Sequence, residues 1–120
     1  VYQEGYITYA NESKEKLLHV AHETLALHGA VSEETAAEMA AGAAAAAEAK
    51  AALATTGIAG PGGGTKEKPV GLVYIGCFLN GRIRVEECHF QGNRMEVREA
   101  AVERAVEILW EELTDKEEEV

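Results

Sequence analysis

The chain has 120 residues, room for one small domain with a single core. Apolar residues make up 47% and charged residues 27%, the composition of an ordinary soluble globular protein. A formal charge of −10 argues against nucleic acid as a partner, because neutralising phosphates needs clustered Lys and Arg. A small phosphate ligand needs only a few local donors and stays open. No apolar run reaches the eighteen or so residues that span a membrane, so no membrane partner is expected. Val1-Tyr2-Gln3-Glu4 has neither the basic nor the apolar part of a signal peptide, and without an initiator Met the chain reads as a processed or trimmed product.

Gly5 to Tyr9 alternates and predicts a strand. Asn11 is a good N-cap, and Glu12 suits the first helical turn that follows. Lys14 would sit near that helix start, where the macrodipole disfavours a cation. It is either a solvent-exposed lysine offset by Glu12 and Glu15, or a lysine of lowered pKa serving as a base. Leu25 and Leu27 belong to a short helix ended by Gly29. His28 is a surface residue or, less simply, touches a ligand. Ser32 caps the next helix, with Glu33 and Glu34 in its first turn. The run from Ala36 to Ala49 is alanine-rich and favours helix. Its smooth face could lie close against a sheet, with Gly42 allowing closer approach.

Thr55-Thr56-Gly57-Ile58-Ala59-Gly60-Pro61-Gly62-Gly63-Gly64-Thr65 separates two apolar runs. It predicts a strand ending in a glycine-rich loop, with a second strand about a dozen residues on. Such a loop is either a long mobile connection or a set of backbone amides that approach an anion closely. A Walker A loop is excluded, because no Gly-Lys-Ser/Thr follows. The dinucleotide fingerprint fails too, since Lys66-Glu67-Lys68-Pro69 leads into a strand. An anion here would meet turn amides and the hydroxyls of Thr55, Thr56 and Thr65.

Val70 to Leu79 is apolar on both faces, as in a central strand, and Asn80-Gly81 predicts a two-residue hairpin turn. The turn pairs Leu79 with Arg82, Cys77 with Arg84 and Val73 with Cys88. Cys77 and Cys88 then share a face about 13 Å apart along the ladder. A disulfide needs Cα atoms within about 7 Å, so both are expected to be reduced structural cysteines of a cytosolic protein. No metal site is expected, since the histidines show no ligand spacing with them. The return strand places Ile83 and Val85 on one side, and Arg82, Arg84 and Glu86 on the other, as on an edge strand. Asn93 with Glu96 makes a capping-box start. Val97, Ala101, Val102, Ala105, Ile108, Leu109 and Leu113 form the apolar stripe of a last helix. Arg94 and Arg98, one turn apart at its start, are a phosphate or carboxylate site or two solvated arginines. The expected organisation is one domain over 1–114, with an acidic tail at 115–120. The class is α/β, a three-layer α/β/α sandwich with a mixed sheet.

Thr56-Gly57-Ile58-Ala59-Gly60-Pro61-Gly62-Gly63-Gly64-Thr65, the later Lys68-Pro69-Val70-Gly71, Tyr9-Ala10-Asn11-Glu12-Ser13-Lys14 and His28-Gly29-Ala30-Val31-Ser32 together resemble the CinA C-terminal domain family. That family comprises nicotinamide mononucleotide deamidases of bacterial pyridine-nucleotide salvage. The resemblance covers the chain to about Glu112 and implies the same α/β/α fold. It implies Lys14 as the base that takes a serine proton, with Tyr9 orienting or polarising near it and Asn11 fixing the turn. It implies that Thr56, Gly57 and the loop through Gly60, Gly62 and Gly63 line the substrate site. Arg94 or Arg98 would meet the phosphate. The family's serine lies in a Glu-Ser-Cys-Thr-Gly-Gly motif with no counterpart here, so the chain is expected to lack its N-terminal nucleophile segment. The resemblance thus implies either a cytoplasmic amidohydrolase acting on a small-molecule nucleotide, or a non-catalytic nucleotide-binding or assembly module. A homo-oligomer is expected, and no cofactor.

Overall fold

The structure, a computed structural model, describes residues 20–118. The expected strand at Gly5–Tyr9 and the helix start with Asn11 and Lys14 lie outside those residues. Helix α1 spans His22–His28 and α2 spans Glu33–Ala46. Strands β1, β2 and β3 span Ala51–Gly57, Leu72–Leu79 and Arg82–His89, and α3 spans Arg94–Glu118.

Short-range chemistry sets the helix ends. Gly29 closes α1 at φ 81°, with its N–H donating to the Leu25 carbonyl. Ser32 Oγ accepts from the Thr35 N–H at 3.2 Å and starts α2. Glu38 on α2 holds the start of α1, accepting from the Ala21 N–H at 2.8 Å and from the Thr24 hydroxyl. Val20, Leu25 and Met39 form a small buried cluster between the two helices.

The three strands are antiparallel in the order β1-β2-β3, with β2 central. Asn80 (φ 49°) and Gly81 (φ 85°) make the expected turn. The register follows from it, with Leu79 opposite Arg82, Cys77 opposite Arg84 and Val73 opposite Cys88. Among the described residues the sheet is antiparallel throughout, where a mixed sheet was expected. Both cysteines are free. Burial raises the Cys77 thiol pKa, and burial with the Glu86 carboxylate pushes Cys88 up to about 11.

The two faces of β2 meet different helices, which gives the α/β class its three layers. Val73, Ile75 and Cys77 point to α3 and bury against Val97, Ala101, Ala105 and Ile108. Gly76 points the other way, to α2. A Cβ there would stand 2.4 Å from the Ala36 carbonyl oxygen and 3.2 Å from Ala40 Cβ. Alanines on one side and a glycine on the other let helix and sheet approach beyond ordinary side-chain contact, as the alanine run suggested.

Two expectations are corrected on the last helix. Its buried line runs through 97, 101, 105 and 108, so Val102 and Leu113 stand exposed, at 62% and 44%. The helix also continues through Glu118 into the stretch expected to be a tail. Beneath it lies the charged side of β3. Arg104 grips Glu86 through Nε at 2.5 Å and Nη2 at 2.8 Å, and reaches Glu111 at 2.9 Å. Arg84 joins the same group through Glu111 at 3.1 Å.

Candidate functional site

The glycine loop closes on itself at its base. The Ile58 N–H donates to Leu72 O, the Gly71 N–H to Ile58 O, and the Phe90 N–H to Gly71 O, which extends the sheet's bonding past its ends. Thr65 caps a turn, its Oγ1 accepting from the Lys68 N–H at 2.9 Å. Two ties then fix the loop to the α1–α2 connection. The Thr56 hydroxyl donates to Ala30 O at 2.6 Å, and Lys68 Nζ donates to His28 O at 2.8 Å. A mobile hairpin is not what these bonds describe.

Within the loop the glycines divide into two kinds. Gly60 has φ 87° and a missing Cβ that would meet Val70 Cγ1 at 2.6 Å. At Gly64 the Cβ would meet the Val70 amide nitrogen at 2.7 Å. Chain packing alone demands glycine at both. Gly62 differs. A Cβ there would find nothing within 4 Å, and its φ lies outside the left-handed range. Its missing side chain leaves exposed backbone on the outer side of the loop.

The helix start faces this loop. Asn93 Oδ1 accepts from the Glu96 N–H and Glu96 Oε1 accepts from the Asn93 N–H, both at 2.9 Å, the reciprocal pair expected of a capping box. Of the first-turn amides, those of Arg94 and Met95 remain as donors the helix start can offer. Arg94 Nη1 reaches the Gly60 carbonyl at 3.4 Å. Between loop and helix lies an open cavity of about 1060 Å³, walled by Ala59, Pro61 and Val70 on the loop side. Gly92, Asn93, Arg94, Met95, Arg98, Glu99, Val102 and Glu103 wall the helix side, so two carboxylates share it with the two arginines.

The structure therefore brings Ala59 and Pro61 of the glycine loop to both arginines, with Arg94 and Gly60 34 residues apart in sequence at their contact, while Gly60, Gly62 and Gly63 do not themselves line the cavity. Thr56 is placed otherwise than a ligand-binding threonine. It is 7% exposed and its hydroxyl is given to Ala30. Gly57 ends β1, where a Cβ would sit 2.7 Å from Leu72 O, so packing explains it. His28 does not line the cavity; its ring lies 3.6 Å from Glu34 at the surface. Tyr9, Asn11 and Lys14 lie outside the described residues. The apolar walls Pro61, Val70, Met95 and Val102 carry no site signal in the sequence, where Val102 belongs to the expected apolar stripe of the last helix. Among the described residues no group of His, Cys, Asp or Glu is arranged to hold a metal ion, and no helix is long and apolar enough to cross a membrane.

Comparison with known proteins gives a consistent answer. The profile of the CinA C-terminal domain matches residues 1–113. A competence-damage inducible protein of Clostridium novyi is 52% identical over 116 residues, and one of Clostridium acetobutylicum is 49% identical over 113. The chain covers 28% of the length of each, so it spans less than a third of the curated relatives it matches. Among solved structures, the competence/damage inducible protein CihA of Agrobacterium tumefaciens superposes with a TM-score of 0.82 at 47% identity. That match covers 85% of this chain and 63% of that one. The competence damage-inducible protein A of Klebsiella pneumoniae gives 0.85 at 38% identity, covering 89% and 66%.

Proposed function

The chain belongs to the CinA C-terminal domain family, and on that basis we propose that it is an amidohydrolase domain of pyridine-nucleotide salvage. It would hydrolyse the carboxamide of nicotinamide mononucleotide to nicotinate mononucleotide and ammonia, in the cytoplasm. The observation that carries this reading is the shared cavity of the glycine loop, Arg94 and Arg98. The arginines and the α3 amides suit a phosphate dianion, through charge-assisted bonds and the positive helix end. The apolar wall suits the ring and ribose faces, and the bare backbone at Gly62, beside Pro61 at the cavity wall, is open to a polar group of the ligand. In this proposal Lys14 takes the proton of the attacking serine hydroxyl and returns it to the departing ammonia. Tyr9 orients Lys14, and Asn11 holds the turn between them. The serine itself is not among these 120 residues.

Calorimetry with two ligands tests the phosphate role. Arg94→Ala and Arg98→Ala should weaken nicotinamide mononucleotide binding by about tenfold or more, the loss of a bond worth roughly 1.5–3 kcal/mol. Nicotinamide riboside, which lacks the phosphate, should lose less than about threefold. Equal losses for both ligands remove the phosphate from this end of the cavity.

A further inference from the structure

The carbonyls of His28, Gly29 and Ala30, where α1 ends and the chain turns into α2, each accept from a side chain. His28 O takes Lys68 Nζ at 2.8 Å, and Ala30 O takes the Thr56 hydroxyl at 2.6 Å. Between them, Gly29 O takes the Ser32 and Thr35 hydroxyls at 3.0 and 2.7 Å. Ser32 and Thr35 stand at the start of α2, so they make this backbone a rigid rack. Thr56 and Lys68 stand on the two limbs of the glycine loop. Gly29 serves the second of these ties as well as the helix end, because a Cβ there would stand 3.1 Å from Lys68 Nζ. The acceptor at His28 lies in the last turn of α1, where unpaired carbonyls and the negative helix end favour a cation. The stretch His28 to Ser32 thus acts through its backbone, and the His28 ring is not needed for it.

From Lys68 the contacts run on to the cavity. Lys68 and Thr65 bind each other twice, the Thr65 N–H donating to Lys68 O at 2.8 Å and the Lys68 N–H to Thr65 Oγ1 at 2.9 Å. Val70, just beyond, occupies the space that side chains at Gly60 and Gly64 would need, and it walls the cavity. The Gly60 carbonyl in turn meets Arg94 Nη1 at 3.4 Å. Lys68 itself does not line the cavity. We propose that Lys68 is a positioning residue of the nucleotide site. By holding the return limb of the loop to the α1 end, it sets where Val70 and the Gly60 carbonyl stand, and through that carbonyl where the Arg94 guanidinium stands. Without the tie the limb keeps its Thr65 turn but loses its hold on the rack. Val70 and Gly60 then shift together, and a guanidinium displaced by about an ångström loses much of a directional bond to phosphate. The effect on the ligand rests on the nucleotide reading above; the anchoring of the loop does not.

Two variants of the full chain test this. Lys68→Met keeps the stem and removes the donor, whereas Lys68→Arg keeps a cationic donor for a single carbonyl acceptor. The tie is solvent-exposed, so neither change disturbs the core. In hydrogen exchange without ligand, the Thr65 amide should exchange about tenfold faster in Lys68→Met and near the wild-type rate in Lys68→Arg. In calorimetry, Lys68→Met should weaken nicotinamide mononucleotide binding about fivefold and nicotinamide riboside binding less than about twofold, because the effect passes through Arg94 to the phosphate. Lys68→Arg should recover most of the loss. The double variant Lys68→Met with Arg94→Ala should bind no more weakly than Arg94→Ala alone, since the lysine acts through that arginine. A general loosening of the fold would add its own loss. Unchanged exchange at Thr65 overturns the anchor whatever the ligand does. Additive losses in the double variant, or equal losses for the two ligands, overturn the positioning role. Wild-type binding that Arg94→Ala leaves unmoved sinks the phosphate reading instead, and the Thr65 exchange then decides the anchor by itself.

Discussion

Gly62 separates what the fold requires of the glycine loop from what a ligand would require. An added Cβ meets nothing within 4 Å, and the backbone there is outside the left-handed region. Gly62→Ala should therefore leave stability unchanged, or raise it by up to about 0.4–1 kcal/mol by restricting the unfolded chain. Gly64→Ala is its control. There the Cβ would sit 2.7 Å from a backbone nitrogen and 2.8 Å from Val70 Cγ2, so Val70 and the loop must shift. Overpacking of that kind costs about 1–3 kcal/mol. Urea unfolding followed by circular dichroism gives the stabilities, and calorimetry gives nicotinamide mononucleotide affinity. If a ligand group approaches the bare backbone, Gly62→Ala displaces it by about a methyl radius. Loss of one good hydrogen bond, about 1.5 kcal/mol, then appears as roughly a tenfold weaker Kd. The expected pattern is stability kept and affinity lost at Gly62. Unchanged affinity would refute a cradling role for the loop tip, and lost stability would refute the account of open space.

Three further outcomes are expected. Asn93→Ala removes one half of the capping box and should destabilise the protein by about 0.5–2 kcal/mol in chemical unfolding. The Arg104 fork holds the Glu86 carboxyl down at about 2, from its ordinary 4.5. A depressed carboxyl stabilises the fold fully above its unfolded value, and loses that contribution as pH falls from about 4.5 toward 2. Wild type should thus exceed Glu86→Gln by about 1–2 kcal/mol at neutral pH, discounted for its partial exposure. The gap should narrow as pH falls below about 4.5 and close near pH 2, and a gap independent of pH would show that the carboxylate charge is not what Arg104 holds. In a protein that carries the family's serine segment ahead of these residues, Lys14→Met and Lys14→Arg should both lose most of kcat. A guanidinium cannot give up its proton, so substantial activity of Lys14→Arg at neutral pH would assign the base elsewhere.

What the sequence made legible was mostly local. Asn80-Gly81 fixes a turn through two left-handed residues, and the register of β2 and β3 then follows by counting, down to the separation of Cys77 from Cys88. Ser32 and Asn93 were readable as caps because their partners lie three residues away. Side alternation on β3 was readable as well, but not which side is covered. The charged side, with Arg84 and Glu86, lies under α3, because Arg104 and Glu111 supply countercharges from a helix some twenty residues on. Ile83, on the apolar side, is 48% exposed.

The site was legible as a list of residue types and not as a place. Nothing local tells that Arg94 will meet Gly60, or that the Thr56 hydroxyl will be taken by a carbonyl 26 residues upstream. Periodicity misled at Val102 for a definite reason. Helix α3 carries two apolar lines, one through Val97, Ala101, Ala105 and Ile108, the other through Met95, Val102, Val106 and Leu113. A period of 3.6 fits both lines and gives no phase, so a single stripe drawn across them mixes core with surface. Residue size does not separate them either, because the buried line includes two alanines and the exposed line holds larger side chains. Packing does separate them. Close approach of α3 to Val73, Ile75 and Cys77 favours small residues on the inward line. A helix that buries alanine and exposes methionine, valine and tryptophan has placed its larger apolar surface outward, beside the cavity.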